Sequence, residues 1–353
     1  MDTCSFFPFL RTYYNVKTMR HLLLSALLVS QVASLATPAD EMAAPPAIYA
    51  VIISGGRSRM FNHERYWNDC AFLYSTLRQE CDIPKEHITL LMADGDNPAN
   101  DMLRDGAAGF VSSPTDLDGD GRPDLTLAAT RQNVEDVFRR LSMTLTNNDH
   151  LFIFITDHGE ETVESSQKRG LRRGTVTMPQ FTEQGLERAV HLWLWGDEQI
   201  SPDELAATVG LCHPATMNIL LGQCYAGAFV TALEGKGRII TTACAANQMS
   251  WSCKERPYDE FVYHWTCAVA QHDEQGQPVG SDSDGDGRVS MAEAYDYARQ
   301  HDRRPETPGI TAQPDGLAYR WTFSNIRTES GIQRNSNLEY QSSTIYDLQG
   351  RKQ

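Results

Sequence analysis

Two residues of reactive type each stand just beyond an apolar run. His158 follows Leu151-Phe-Ile-Phe-Ile-Thr156, with Asp157 between them and Gly159 after it. Cys224 follows Met217-Asn-Ile-Leu-Leu221 and opens the small-residue stretch Cys-Tyr-Ala-Gly-Ala228. Short apolar, β-favouring runs bounded by Pro214 and Gly222 read as buried strands of a parallel sheet. Open α/β sheets present ligands at the carboxyl ends of their strands. If both runs lie in one parallel sheet, an imidazole and a thiol meet at one edge, the minimum needed to activate a thiolate nucleophile. Gly159 leaves its N–H open to an oxyanion, and the Cys224 N–H is a second donor. A buried structural cysteine and a hydrogen-bonded core histidine are the competing explanations of each residue alone. Asp157 is expected to face away from His158 if strand geometry continues, so it receives no role. His63, His264 and His301 read as structural or surface residues.

The strands that must position this pair alternate with helical patterns. Ile48–Ile53, Ile88–Met92, Leu151–Thr156, His191–Trp195, Met217–Leu221 and Gly237–Thr242 read as strands. Tyr66–Glu80, Arg131–Leu145, Asp259–Gln271 and a helix ending near His301 carry 3.6-residue periodicity. Ser201-Pro-Asp-Glu204 is a capping box with proline in the first turn. Strand, helix and strand in that order predict an α/β fold with a parallel sheet. Glu160–Glu187 reads as a long polar loop carrying Lys168-Arg169 and Arg172-Arg173, and loops of that length are usually functional or disordered.

Two acidic loops have cation-binding character. Asp282, Asp284, Asp286, Gly287, Arg288 (through its carbonyl), Ser290 and Glu293 fill the positions of an EF-hand loop. Asp116, Asp118, Asp120, Gly121, Arg122 (by the same seventh position) and Asp124 repeat the pattern, but Leu127 stands where the glutamate should be. Calcium in a structural role is the expectation, with a solvated acidic turn as the alternative; no cofactor is expected for catalysis.

The 353 residues carry a formal net charge of −15, which argues against a nucleic-acid partner. Residues 19–36 have a basic start, an apolar run and small residues, the pattern of a secretory signal peptide. The run is too short for a comfortable membrane span, so the mature chain is expected to be secreted, periplasmic or extracellular, with no stable membrane insertion. Of the eight cysteines, Cys4 falls in the leader; the seven others leave an odd thiol if six pair. They show no CxxC spacing, so zinc is not expected.

The order of the motifs resembles the legumain family of cysteine peptidases, within the clan that includes caspases and gingipains. The matching pieces are a first strand followed by Asn62 and Arg65, then Thr156-Asp-His-Gly159, then Gln223-Cys-Tyr-Ala-Gly227, then Thr241-Thr-Ala-Cys-Ala-Ala-Asn247 with Ser250-Trp251. The resemblance implies a caspase-like three-layer αβα sandwich with a mostly parallel central sheet. It covers a peptidase domain (47–318), which follows the leader (1–36) and an Ala/Pro-rich linker (37–46) and precedes a C-terminal tail (319–353). It makes His158 the general acid–base, Cys224 the nucleophile, Asn62 the residue orienting the histidine, and Gly159 with Cys224 the oxyanion donors. Ser250 and Trp251 become a wall of the specificity pocket, with Arg65 and Asp259 lining it. The spacing around Arg65 is offset by one residue, and Gly222 stands where legumain carries an acid two before its cysteine. Strict asparagine specificity is therefore not implied.

The leading expectation is a secreted cysteine endopeptidase acting on peptides or proteins through an acyl-enzyme. A transamidase of the same chemistry differs only in the acceptor. An α/β-hydrolase with a cysteine nucleophile would place its histidine after the nucleophile in the chain, and His158 precedes it. A calcium-stabilised surface protein would account for the acidic loops but leave the two strand ends unexplained.

Overall fold

Alternation along each strand builds the two sides of one central sheet. The computed structural model describes residues 45–104, 109–125, 127–165 and 186–323. Its strands are β1 (Ile48–Ser54), β2 (Ile88–Met92), β3 (Met102–Leu103), β4 (Phe110–Val111), β5 (His150–Thr156), β6 (Gly159–Ser165), β7 (Leu186–Leu194), β8 (Glu198–Ile200), β9 (Thr216–Leu221), β10 (Arg238–Thr242) and β11 (Gly309–Gln313). The helices are α1 (Glu64–Gln79), α2 (Arg131–Thr144), α3 (Pro202–Val209), α4 (Val230–Leu233), α5 (Glu260–Ala270), α6 (Met291–His301) and α7 (Leu317–Arg320). Six strands pair in the order β11-β10-β9-β5-β1-β2. Every pair is parallel except β10 with β11.

Side chains at i and i+2 share a sheet face, and here they feed two separate cores. Ile52, Phe152, Phe154, Leu220 and Ile239 pack with α1, α5 and α6 through Leu73, Trp265 and Met291. Val51, Ile53, Ile153, Ile155, Ile219 and Ile240 pack with α2, α3 and α4 through Phe138, Leu205 and Leu233. The protein is thus α/β, with a mostly parallel six-stranded sheet and helices against both faces. A strand buried on both sides has no room for polar alternation, which is why β1, β5 and β9 read as continuous apolar runs.

The chain passes from β1 out to β2, then crosses back to β5 and continues to β9 and β10. The gap between the carboxyl ends of β1 and β5 is therefore a topological switch point, where crevices form in such sheets. The capping box at Ser201 is made as its sequence predicts, with Pro202 in the first turn. A second box, Ser290 with Glu293, starts α6.

Two expectations are corrected. The polar stretch after His158 is not a loop throughout. Its first residues form β6 and its last join β7, an antiparallel pair extended by β8; residues 166–185, including both dibasic pairs, lie outside the described residues. The domain also does not stop at residue 318. Trp321 and Phe323 are 3% and 5% exposed, pack on each other at 4.8 Å between ring centroids, and Phe323 meets Phe152 of the central strand at 5.1 Å. The Trp321 indole N–H donates to Thr216 Oγ1 at 2.8 Å. Polar residues around these two aromatics hide them from a composition-based reading. The leader, residues 37–44 of the linker and residues 324–353 lie outside the described residues. Among the described residues, no helix is long and apolar enough to cross a membrane.

Trp321→Ala should cost about 3–5 kcal/mol, the range for emptying a buried aromatic site. Urea unfolding checks this, since a true tail residue would leave the midpoint in place.

Candidate active site

The parallel pairing of β5 with β9 sets the site. Ile155 is in register with Leu221, and the Gly222 N–H continues the ladder to the Ile155 carbonyl at 2.7 Å. His158 and Cys224 each lie three residues beyond that last matched pair, so both emerge at the same sheet edge. Gly159 packs directly on the Cys224 backbone: a Cβ at Gly159 would overlap the Cys224 carbonyl oxygen. Gly222 is equally confined, because a Cβ there would lie 2.6 Å from Val262 Cγ2 and 3.2 Å from Thr156 Oγ1. An acidic side chain two before the cysteine has no space to fit.

The histidine is held by a backbone carbonyl. His158 Nε2 lies 3.0 Å from Phe61 O. A carbonyl only accepts, so Nε2 carries the proton and Nδ1 keeps the lone pair. The Tyr66 hydroxyl lies 3.4 Å from the same Nε2, and the Phe61, His63 and Tyr66 rings surround the imidazole edge-on. Burial holds the imidazole below its ordinary value, and the nearby Arg65 charge acts the same way. It is therefore neutral near pH 7, in the state a general base needs. Asn62 does not orient it: its amide turns to the Asp101 carbonyl and carboxylate, both at 3.2 Å.

Asp157 also departs from expectation. Its backbone φ is 112°, a left-handed-side conformation that ends the strand geometry at Thr156. Its buried carboxylate swings back to accept from the Gly56 N–H, the Ser54 hydroxyl and the His158 N–H. One oxygen comes within 3.9 Å of His158 Nε2. Asp157 thus ties the ends of β1 and β5 together across the switch point. Burial pushes its carboxyl up to about 7 despite the three donors.

The thiol's partners come from one residue. Cys224 Sγ lies 3.7 Å from Ser250 O and 3.6 Å from the Ser250 hydroxyl. Ser250 therefore touches the Cys224 sulfur itself, where the sequence reading made it a specificity wall. Burial raises the thiol, while both Ser250 bonds pull it down. A raised thiol and a lowered imidazole are both uncharged near pH 7. Gly159 sits at a non-hydrogen-bonded position of the β6–β7 ladder, because Trp193 N–H already bonds the His158 carbonyl at 3.0 Å. Its own N–H then faces away from β7, as an oxyanion donor requires.

Arg65 and Asp259 do come together, but with each other: Arg65 Nε donates to Asp259 Oδ1 at 2.9 Å. The guanidinium also donates to the Tyr66 hydroxyl at 2.6 Å and covers its ring at 4.2 Å. The Trp251 N–H donates to Glu306 Oε2 at 3.0 Å. Cys70, Cys212, Cys244, Cys253 and Cys267 are unpaired thiols, so the disulfides that the cysteine count allows are not made there. Phe61, Tyr66, Asp157 and Glu306 belong to the site without any sequence signal. A carbonyl partner and a reversed φ leave no trace in residue type.

The acidic loops fold alike. Asp116 and Asp282 each accept from the N–H groups three and five residues on, and the next two aspartates of each loop accept from the N–H two residues on. Carboxylate oxygens of Asp116, Asp118 and Asp120 gather within 4.8 Å, as do those of Asp282, Asp284 and Glu293. Asp286 stands outside its group. Asp124 is turned to Lys85, Tyr74 and the Leu117 N–H, so it is not part of the first cluster. Ser290 caps α6 and bonds Glu293, whose other oxygen accepts from Ser283. All-oxygen donor sets of this kind fit a hard divalent cation such as calcium.

No protein-family model matches the sequence, and no curated protein matches it. Among solved structures, protein GSU0716 from Geobacter sulfurreducens is similar at 12% identity, over 77% of this chain and 97% of that one, with a TM-score of 0.41.

Gly159→Ala should push the two strand ends apart, because the new methyl group has only the Cys224 carbonyl to displace. The expected cost is about 1–3 kcal/mol of stability, as for overpacking elsewhere, together with a changed alkylation rate at Cys224. Thermal unfolding and peptide-resolved alkylation read the two effects.

Proposed function

We propose that the protein is a cysteine peptidase with a caspase-like fold, hydrolysing peptide bonds through Cys224 and His158. The observation that carries this reading is the matched emergence of His158 and Cys224 from adjacent parallel strands, with Gly159 packed on the cysteine backbone. In this reading Nδ1 of His158 takes the thiol proton as Sγ attacks the substrate carbonyl. The Gly159 and Cys224 N–H groups receive the negative charge on the carbonyl oxygen. The imidazolium then protonates the leaving amine, and water releases the acyl group from sulfur. Phe61 O fixes the tautomer throughout, a role that carboxylates or carbonyls commonly fill for catalytic histidines. Calcium at the two acidic loops is a structural ion in this proposal, supplied by an exported environment. The substrate is a peptide or protein chain.

Cys224→Ala should abolish cleavage of a positional-scanning peptide library and leave the thermal midpoint within about 2 °C, since the change removes one partly exposed sulfur. His158→Ala should lose nearly as much, and the double variant little more, because the two act as a unit. Substantial turnover by Cys224→Ala would falsify the mechanism.

A calcium chelator should lower the thermal midpoint of the wild-type protein, because emptying either loop leaves carboxylates repelling one another. Replacing Asp282 and Asp284 together by Asn should make the midpoint less sensitive to the chelator. A wild-type midpoint indifferent to chelation rejects the metal assignment.

A further inference from the structure

The Ser250 contacts to the thiol are only as firm as the loop that carries Ser250. That loop is held from outside by the segment between α6 and β11. Glu306 Oε2 accepts the Trp251 N–H at 3.0 Å. The next residue, Thr307, donates its N–H to Gln248 Oε1 at 2.9 Å. Gln248 in turn reaches the nucleophile's neighbour, its carbonyl accepting the Tyr225 N–H at 2.7 Å. Both ends of the Gln248–Trp251 loop are thus pinned to residues 306 and 307.

The other oxygen of Glu306 meets a second carboxyl. Asp302 Oδ1 accepts the Arg304 N–H at 2.7 Å. Asp302 Oδ2 and Glu306 Oε1 are buried with no donor among the described residues, and the two carboxyl groups are electrostatic neighbours. Two carboxylates can only accept, so a bond between them requires a proton. Burial, then the Asp302 charge, push Glu306 up to about 10. The charged and titratable groups facing the pair are Arg304 on the same stretch, Asp259 and Glu260 at the start of α5, and the Cys224 and Cys244 thiols. Of these, the Arg304 guanidinium lies over the Trp251 ring at 5.1 Å.

We propose that protonated Glu306, sharing its proton with Asp302, is a positioning residue for Cys224. It holds the Ser250–Trp251 loop on the thiol without setting a negative charge beside the thiolate that must form. An ionised Glu306 would clamp the loop equally well but would oppose thiolate formation, since a like charge disfavours ionisation. The proposal rests on Cys224 being the nucleophile, and its test needs no substrate.

Thiolate, not thiol, reacts with iodoacetamide, so the pH profile of Cys224 alkylation reports its ionisation. The full chain is alkylated across pH and the Cys224 peptide quantified by mass spectrometry. Glu306→Gln keeps both bonds, its amide N–H to Asp302 and its oxygen to the Trp251 N–H, in a neutral group. Its midpoint should stay within about 0.3 pH unit, or twofold in rate below the midpoint. Glu306→Ala frees the loop, and the midpoint should rise by about 0.5 unit or more, roughly threefold in rate. A downward shift in Glu306→Gln overturns the proposal, because it means that a charge was removed. An unmoved midpoint in Glu306→Ala overturns it as well. Should Glu306→Ala not fold, Ser250→Ala takes its place, with the same upward shift expected and an unmoved profile again decisive against. Absence of peptide turnover with these shifts intact would reject the peptidase reading and leave this one standing.

Discussion

The parallel pairing of β5 with β9 is the constraint on which the rest of the site depends. Each residue of a strand advances about 3.3 Å, so a two-residue slip would shift Cys224 about 7 Å along the sheet relative to His158, and a one-residue slip would turn each side chain to the other face. The register is held by burial on both sides. Phe152, Phe154 and Leu220 belong to one core and Ile153, Ile155 and Ile219 to the other, so any slip exchanges two complete sets of contacts. Beyond the last matched pair, glycines allow the approach. Gly222 fits under Val262 and Gly159 fits on the Cys224 carbonyl because neither carries a Cβ.

Around this pairing, burial and local ion pairs keep His158 and Cys224 uncharged. Arg65 is neutralised by Asp259, and the Asp259 N–H is received by the buried Asp69 carboxyl. Burial lifts Asp69, Asp157 and Glu306 above the usual carboxylate range. Fewer fixed negative charges then face the thiol than the number of acidic residues suggests. Burial likewise disfavours charge on both His158 and Cys224. The Ser250 hydroxyl stands at the sulfur, and the N–H of Gly159 faces away from β7.

Stability and site geometry are coupled through the C-terminal part of the described chain. Residues 302–307 brace the loop beside the thiol, β11 closes one edge of the sheet, and Trp321 and Phe323 lock onto β5 and α5. The capping box of α6 uses Glu293, which is also a member of one acidic cluster. The helix start and that loop are therefore built from the same carboxylate, so what happens at the loop is felt at the helix.

Residue type and spacing alone determined much of this protein. The apolar runs of β1, β5 and β9, the Ser201 capping box, the α/β class and the emergence of His158 and Cys224 at strand ends were all legible, because burial on two faces and local hydrogen bonding leave direct marks on sequence. Pairings distant in sequence were not. The polar stretch after His158 gives no sign that Gly159–Ser165 returns to pair with Leu186–Leu194, since the alternation of a hairpin with polar faces is weak. Trp321 and Phe323 are two apolar residues in polar surroundings, and only the packing of Phe323 on Phe152 and Trp265 and of Trp321 on Phe323 makes them core. Tertiary structure alone decided that Asn62 turns to Asp101 while the Phe61 carbonyl holds the histidine, that Asp157 folds back through a reversed φ, and that Glu306 reaches the loop beside the thiol. Each of these depends on backbone direction, or on contacts between residues far apart in the chain, and neither is written in the identity of a residue.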